Sequence, residues 1–284
     1  MVPSAMEKLG GSGYLRLNDG HQLPAIGFGT WPLQNGQVES VVKAGVEAGY
    51  RLLDTASRYG NEEGVGRGVR ESGIPVDQLY VTTKLRGLDH GYDEALRAFD
   101  ASSKRLGLER IALYLIHWPL PAKNRYVETW RAFVRLREEG RVRSIGVSNF
   151  EPHHIDRLIG ETGVTPAVNQ VELHPEFSQP ALRQYHLDRG IVTQAWRPLG
   201  KGASLKSPAV ASVAARHAKS AAQIILRWHF ELGVLAIPKS ERPERLRENI
   251  SIFDFELDAG DRERLGALDV GRRLGGHPDT HSEE

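Results

Sequence analysis

The chain has 284 residues, of which 40% are hydrophobic and 26% charged, with a formal net charge of +1; this is an ordinary globular composition with no overall field directed at nucleic acid or an anionic membrane. There is no cysteine, which excludes disulfides, thiolate catalysis, iron–sulfur clusters and cysteine-held zinc. No apolar run approaches the roughly 18 residues that span a bilayer, so the default location is cytoplasmic.

Residues 1–13, "MVPSAMEKLGGSG", lack the apolar stretch of a secretory signal and read as a flexible lead. Residues 14–24, "YLRLNDGHQLP", set an Asn-Asp-Gly turn between two short extended runs, which predicts a β-hairpin. Short β-like runs then follow at 26–30, 51–54, 79–84, 111–118, 142–149, 166–172, 191–196 and 234–240. Most are continuous apolar runs without strict alternation, as parallel strands covered on both faces require. Between them lie helical stripes. Val38, Val41 and Val42 form one, as do Leu96, Phe99 and Leu106; Val127, Trp130 and Val134; and Ala221, Ile224, Ile225 and Trp228. The last interval, from Trp196 to Lys239, has room for an extra helix around 207–218, and residues 256–269 read as a final outer helix. Strand ends recur every 22 to 33 residues or so, roughly one β/α unit. These elements predict an α/β fold, a (β/α)₈ TIM barrel forming a single domain over 14–270. The hairpin closes its bottom, extra helices follow at the C-terminal side, and the polar, glycine-rich tail 271–284 lies on the surface. The rival, an open doubly wound sheet, would place a glycine-rich loop after its first strand. Here "GVGRGV" (64–69) falls inside a helix-like segment and reads as helix packing.

In such a barrel the chemistry sits on the C-terminal rim of the strands. That rim carries Trp31, Asp54, Lys84, His117, Ser148 with Asn149, Gln170, Trp196 and Lys239. Alone, Asp54 reads as a turn residue and Tyr59, five positions on, as packing. An aspartate, a lysine and a histidine on three neighbouring strands, with that tyrosine just past one of them, are more specific. Lys84 among apolar neighbours needs an anion, and Asp54 is the adjacent one. A lysine cation roughly 4 Å from a phenol contributes on the order of 4 kcal/mol at an effective dielectric near 20. It lowers the phenol's pKa from about 10 unless burial opposes it. His117, between Ile116 and Trp118, is expected to be neutral and to donate to a developing oxyanion. A proton donor and an oxyanion stabiliser aimed at one oxygen suit carbonyl reduction, with a nicotinamide to supply hydride.

These residues resemble the aldo-keto reductase superfamily over about residues 14–270. The resemblance is carried by "GFGTW" (27–31), "DTASRYGNE" (54–62), "TTKL" (82–85), "LIHWP" (115–119), "GVSNF" (146–150), "NQVELHP" (169–175), "QAWRPLG" (194–200) and "IPKSERPERLRENI" (237–250). It implies Tyr59 as general acid, tuned by Lys84 and Asp54, with His117 orienting the carbonyl. It implies NADPH/NADP+ as cofactor, with Gly29, Thr30 and Asp54 near it and Ser148, Asn149 and Gln170 on its carboxamide. Trp196 would stack on the nicotinamide, with Arg197 and Leu199 beside it. Lys239, Ser240 and Arg245 would grip the 2′-phosphate, with Glu248 and Asn249 near the adenine. The phosphate assignment has a physical basis too, since "KSERPERLR" (239–247) puts cations and a hydroxyl at a helix start, with Glu241 opposing.

Two positions depart from the commonest pattern. Trp196 stands where tyrosine is usual, as in the prokaryotic branch that includes 2,5-diketo-D-gluconate reductases. Arg197 stands where a small residue is usual, and faces either the cofactor's phosphates or solvent. Trp31 and Trp118 are expected to wall the substrate pocket with Tyr59 and His117, whereas Trp130 and Trp228 belong to the core. His153 and His154 are adjacent rather than four apart and read as a solvated helix start, so no metal is expected. His174, before Pro175, reads as structural.

The expected activity is NADPH-dependent reduction of small aldehydes and ketones, including 2-oxo-aldehydes and keto sugar acids such as 2,5-diketogluconate. Short loops suggest an open pocket, and the family resemblance implies a monomer. One alternative is a Schiff-base lyase using Lys84, which Asp54 disfavours by keeping the amine protonated. The other is a non-catalytic NADPH-binding regulatory subunit, against which the intact set of four residues argues.

Overall fold

The computed structural model describes residues 13–283; the expected lead, apart from Gly13, lies outside the described residues. Strands β1 (Tyr14–Arg16) and β2 (Gln22–Pro24) pair antiparallel, with Leu15 opposite Leu23. Gly20, at φ +90°, carries the turn between them in a conformation that favours glycine. The buried side chains of Leu15, Leu17 and Leu23 belong to the main core.

The remaining strands are β3 (Phe28–Gly29), β4 (Leu52–Asp54), β5 (Tyr80–Leu85), β6 (Ile111–Ile116), β7 (Val142–Ser148), β8 (Val168–Glu172), β9 (Val192–Trp196) and β10 (Leu235–Ala236). They run in chain order, each parallel to the next. Ile26 bridges Ala236 in parallel, and the amides of Gly27 and Gly29 donate to the carbonyls of Ala236 and Pro238 at 3.0 and 3.1 Å. The sheet thereby closes on itself as a (β/α)₈ barrel. Strand β10 is shorter than the apolar run around it because Pro238 has no N–H with which to continue the ladder. In β6 every residue is buried, as expected where one face fills the barrel and the other is covered by helices.

The helices are α1 (Asn35–Glu47), α2 (Glu62–Arg70), α3 (Tyr92–Leu106), α4 (Tyr126–Glu138), α5 (Pro152–Thr162), α6 (Pro180–Asp188), α7 (Pro208–His217), α8 (Ala221–Glu231), α9 (Pro243–Ile250) and α10 (Ala259–Gly266). Trp130 on α4 and Trp228 on α8 are buried. The glycines of α2 are packing residues. A methyl on Gly64 would meet the Asn35 carbonyl oxygen at 2.2 Å, one on Gly66 the Leu106 carbonyl oxygen at 2.0 Å, and one on Gly68 the Val42 Cβ at 2.7 Å. Among the described residues, no helix is long and apolar enough to cross a membrane.

The segment after α10 keeps most of its residues at the surface, as expected, but it is docked there, with Pro278 and Glu283 buried. It returns across the mouth of the barrel. The amides of Val270 and Arg272 donate to the Glu176 carbonyl at 3.2 and 3.0 Å. Those of Leu274 and Gly275 donate to the buried carboxylate of Glu172 at 2.6 and 2.8 Å. Polar groups of the rim thus replace the apolar stripe that would have marked the segment as packed.

Candidate active site

Lys84 points inward from β5 and is fully buried. Its Nζ lies 2.5 Å from Asp54 Oδ1, 2.9 Å from the Thr55 carbonyl oxygen and 3.3 Å from the Tyr59 hydroxyl. The other Asp54 oxygen accepts from Gln170 Nε2 at 2.7 Å. Tyr59 ends a single helical turn, Ser57–Tyr59. That turn is tied to β5 by the Ser57 hydroxyl, which donates to the Lys84 carbonyl at 2.9 Å. The phenol ring sits between those of Trp31 and His117, with centroids 5.1 and 5.8 Å away.

Burial works against the charge on Lys84, but Asp54 and Tyr59 outweigh it and hold the amine above its ordinary pKa. Burial also pushes the Tyr59 phenol above its ordinary value; Lys84 pulls the other way without prevailing, because Asp54 and Glu283 reinforce the rise. The expected acidification of this phenol is therefore corrected: burial outweighs the pull of the Lys84 ammonium, which Asp54, 2.5 Å from it, partly offsets. Burial lowers the pKa of His117, which favours the neutral ring.

One cleft of about 440 Å³ holds Asp54, Tyr59 and His117 together with Trp31 and Trp118. Gly29, Ser148, Asn149, Gln170, Trp196, Arg197 and Lys239 line the same cleft. Asn149, at φ +63°, donates to the His117 carbonyl at 3.0 Å and to the Ser148 hydroxyl at 3.1 Å. Its Oδ1 accepts from the Trp196 indole at 2.8 Å, which fixes that ring. Thr30 lies behind the wall, its hydroxyl donating to the Asp54 carbonyl at 3.0 Å, and Leu199 packs against the core. Lys239 pairs with Glu241 at 2.7 Å. Ser240 precedes α9, which carries Arg245, Glu248 and Asn249; these four are not part of the cleft lining. Arg197 is half-buried at the edge of the cleft. At φ +52°, its guanidinium lies 5.0 Å from the Trp196 ring and donates to the Leu274 carbonyl at 3.4 Å.

The returning segment also covers the pocket that short loops were expected to leave open. Glu283 Oε1 lies 3.1 Å from His117 Nδ1 and 3.3 Å from an Arg58 guanidinium nitrogen, and Oε2 accepts from the Gly87 amide. Burial opposes the charge of Glu283, but His117, Gly87 and Arg58 prevail and hold its pKa at about 2. His281 stacks on Trp118 with ring centroids 3.8 Å apart. Asp279 lies 3.2 Å from His153 and 3.3 Å from His154. His154 is buried rather than solvated, its Nδ1 accepting from the Glu151 amide at the start of α5 at 3.1 Å. That bond requires an unprotonated Nδ1, so a neutral His154 carries its proton on Nε2, facing Asp279.

Sequence reasoning missed Glu283, His281, Arg58 and Glu172. Only two left a trace: Glu172 closes the predicted strand 166–172, and Arg58 lies inside "DTASRYGNE".

A closed barrel with a buried ammonium–carboxylate pair under a phenol at its mouth defines a class of carbonyl-reducing enzyme. A model described as the aldo/keto reductase family matches residues 25–269, and the chain belongs to that family. It is 49% identical to an aldo-keto reductase of Mycolicibacterium smegmatis over 94% of this chain and 97% of the relative. It is 44% identical to the glyoxal reductase of Bacillus subtilis over 93% of this chain and 96% of the relative. Among solved structures, a Gox0644 variant in complex with NADPH superposes with a TM-score of 0.92 at 45% identity, covering 95% of this chain and 98% of the other.

Proposed function

We propose that this chain reduces small activated aldehydes and ketones, among them 2-oxo-aldehydes and keto sugar acids, with Tyr59 as the proton donor. The observation that carries the reading is Lys84 Nζ in simultaneous contact with Asp54, the Thr55 carbonyl and the Tyr59 hydroxyl. In the resting site the phenol keeps its proton and is ready to give it up. As the proton leaves for the carbonyl oxygen, the ammonium 3.3 Å away stabilises the phenolate that forms. A neutral His117, its ring beside Tyr59, donates a hydrogen bond to the same oxygen from its protonated nitrogen.

The cofactor is NADPH/NADP+, whose reduced form, when bound, would supply the hydride and leave as NADP+. The donor set fits it: the Trp196 indole offers a flat face, Ser148, Asn149 and Gln170 offer groups for a carboxamide, and Lys239 supplies a cation along the same cleft. Ser240 and Arg245, with Lys239 before α9, suit an added phosphate. The relative named glyoxal reductase supports the dicarbonyl part of the substrate class. A Schiff-base reading would need Lys84 unprotonated, and Asp54 opposes that.

NADPH oxidation across a panel of aldehydes, diketones and keto acids tests the reading, with Tyr59→Phe alongside. The variant is expected to lose turnover by about 10²- to 10⁴-fold while still binding NADPH, as followed by cofactor fluorescence. Near-normal turnover by Tyr59→Phe would remove Tyr59 from the proton-donor role.

A further inference from the structure

We propose that Arg58 is the specificity residue for carbonyl substrates that carry a carboxylate, and that Glu283 is a tethered stand-in for that carboxylate. The inference rests on the carbonyl-reductase reading above and names one substrate class for its pocket: short oxo acids and aldehyde acids.

The Glu283 side chain is 2% exposed, so its charge has exchanged water for protein donors. Three groups face it: a guanidinium from Arg58, a backbone N–H from Gly87 and the ring of His117. A cation, a neutral amide and an imidazole converging on two oxygens form a carboxylate site. Among the described residues, no acid other than Glu283 forms an ion pair with Arg58. Arg58 also precedes Tyr59 in the same single turn. A substrate whose carbonyl meets Tyr59 and His117 therefore has Arg58 within reach of a second group a few carbons away.

Glu283 fits this site imperfectly. His117 Nδ1 and Glu283 Oε1 are 3.1 Å apart but off the line of a hydrogen bond, and neither atom makes a hydrogen bond elsewhere; Oε1 has only the longer ion pair to Arg58. A free acid, unconstrained by a backbone, can align where the tethered one does not. The points that hold the segment lie upstream, at Glu172 and at the His153–His154 pair. Residues 281–283 can leave the cleft without releasing 274–279. Acidic substrates exchange one carboxylate for another, whereas neutral carbonyls must displace Glu283 from His117 without the compensating contact to Arg58.

The test compares two aldehydes of equal chain length, succinic semialdehyde and butanal, in NADPH oxidation by the wild type, Glu283→Gln, Arg58→Leu and Arg58→Lys. Glu283→Gln is expected to lower KM for both aldehydes by about tenfold, and Arg58→Leu to lower the acid-to-neutral ratio of kcat/KM by about tenfold or more. Arg58→Lys should restore part of that ratio. A ratio that Arg58→Leu does not move, or a KM that Glu283→Gln does not move, overturns the proposal. A second arm needs no turnover: succinate binding, followed by quenching of tryptophan fluorescence. Succinate is expected to bind about tenfold more tightly to Glu283→Gln than to the wild type and to lose that gain in the Arg58→Leu/Glu283→Gln double variant. Equal succinate binding by all three proteins overturns the carboxylate site. The expected succinate pattern without any carbonyl turnover would instead remove the reductase reading alone.

Discussion

Lys84 is carried by β5, hydrogen-bonded to β4 on one side and β6 on the other. Every group that holds its ammonium belongs to β4 or to the residues just after it. Glu283 faces the same cleft from a segment that has no regular structure after Gly266 and reaches the barrel through separate polar contacts at Glu176, Glu172, His153 and His154. One charge is positioned by the ladder of a closed sheet, the other by side chains that can be exchanged for a ligand. The barrel mouth thus combines a part that cannot move without unfolding and a part that can be replaced.

The largest expected effect breaks the rigid side. Lys84→Met leaves Asp54 buried beside Gln170 without its cation and is expected to cost about 3–5 kcal/mol of unfolding free energy, read by urea denaturation. The Asp54→Leu/Lys84→Met pair should recover much of that loss, and a cycle showing no recovery would contradict a strand-fixed ion pair.

Acidification separates the two regions next. Burial pushes the barrel histidines His186 and His229 down to about 3 and about 4, from ordinary values of 6.5. In the unfolded chain they take up protons first, so their contribution is complete above pH 6.5 and is lost as pH falls toward 4. The loss is up to about 1.4 kcal/mol per pH unit for each. Glu283 follows the same direction in a lower window: held at about 2 against an ordinary 4.5, its contribution is full above pH 4.5 and disappears only toward 2. Between pH 6.5 and 4.5 the barrel should weaken while the Gly87 amide, bonded to Glu283, keeps its hydrogen-exchange protection. Loss of that protection in this window would count against the contact.

Smaller still is Glu172→Gln, which turns an acceptor toward two amides into a mixed group. It is expected to cost about 1–2 kcal/mol locally, seen as faster exchange at Leu274 and Gly275 with little change in the global transition. The smallest effect belongs to Arg197→Gly. Relief of the positive φ, worth about 1 kcal/mol, offsets the loss of the long bond to Leu274, so Tm should move by no more than about 2 °C.

The barrel itself was legible because eight apolar runs could be counted, and their ends located Asp54, Lys84 and Gln170, which share one hydrogen-bonded cluster. The Tyr59 pKa was not legible, since its sign depends first on how deeply the phenol is buried and then on how close Asp54 stands to Lys84, neither of which spacing encodes. Nor was the path of 270–283. A segment docked through backbone amides on Glu172 shows no periodic apolar residue, and a buried carboxylate at position 172 looks, as a letter, like an exposed one. His154 was misplaced because its burial comes from tertiary packing against Tyr126 and Phe150, with Asp279 at its outer nitrogen.

The three close approaches of α2, at Gly64, Gly66 and Gly68, have a bearing on how damage to this enzyme would present itself. The helix begins three residues after Tyr59, so its seating against α1 and the end of α3 sets where the phenol stands. A single added methyl at Gly66, remote from any substrate, would push the helix outward and carry the hydroxyl away from its ammonium. In an assay the lesion would resemble the loss of a reacting group, although every reacting group would still be present.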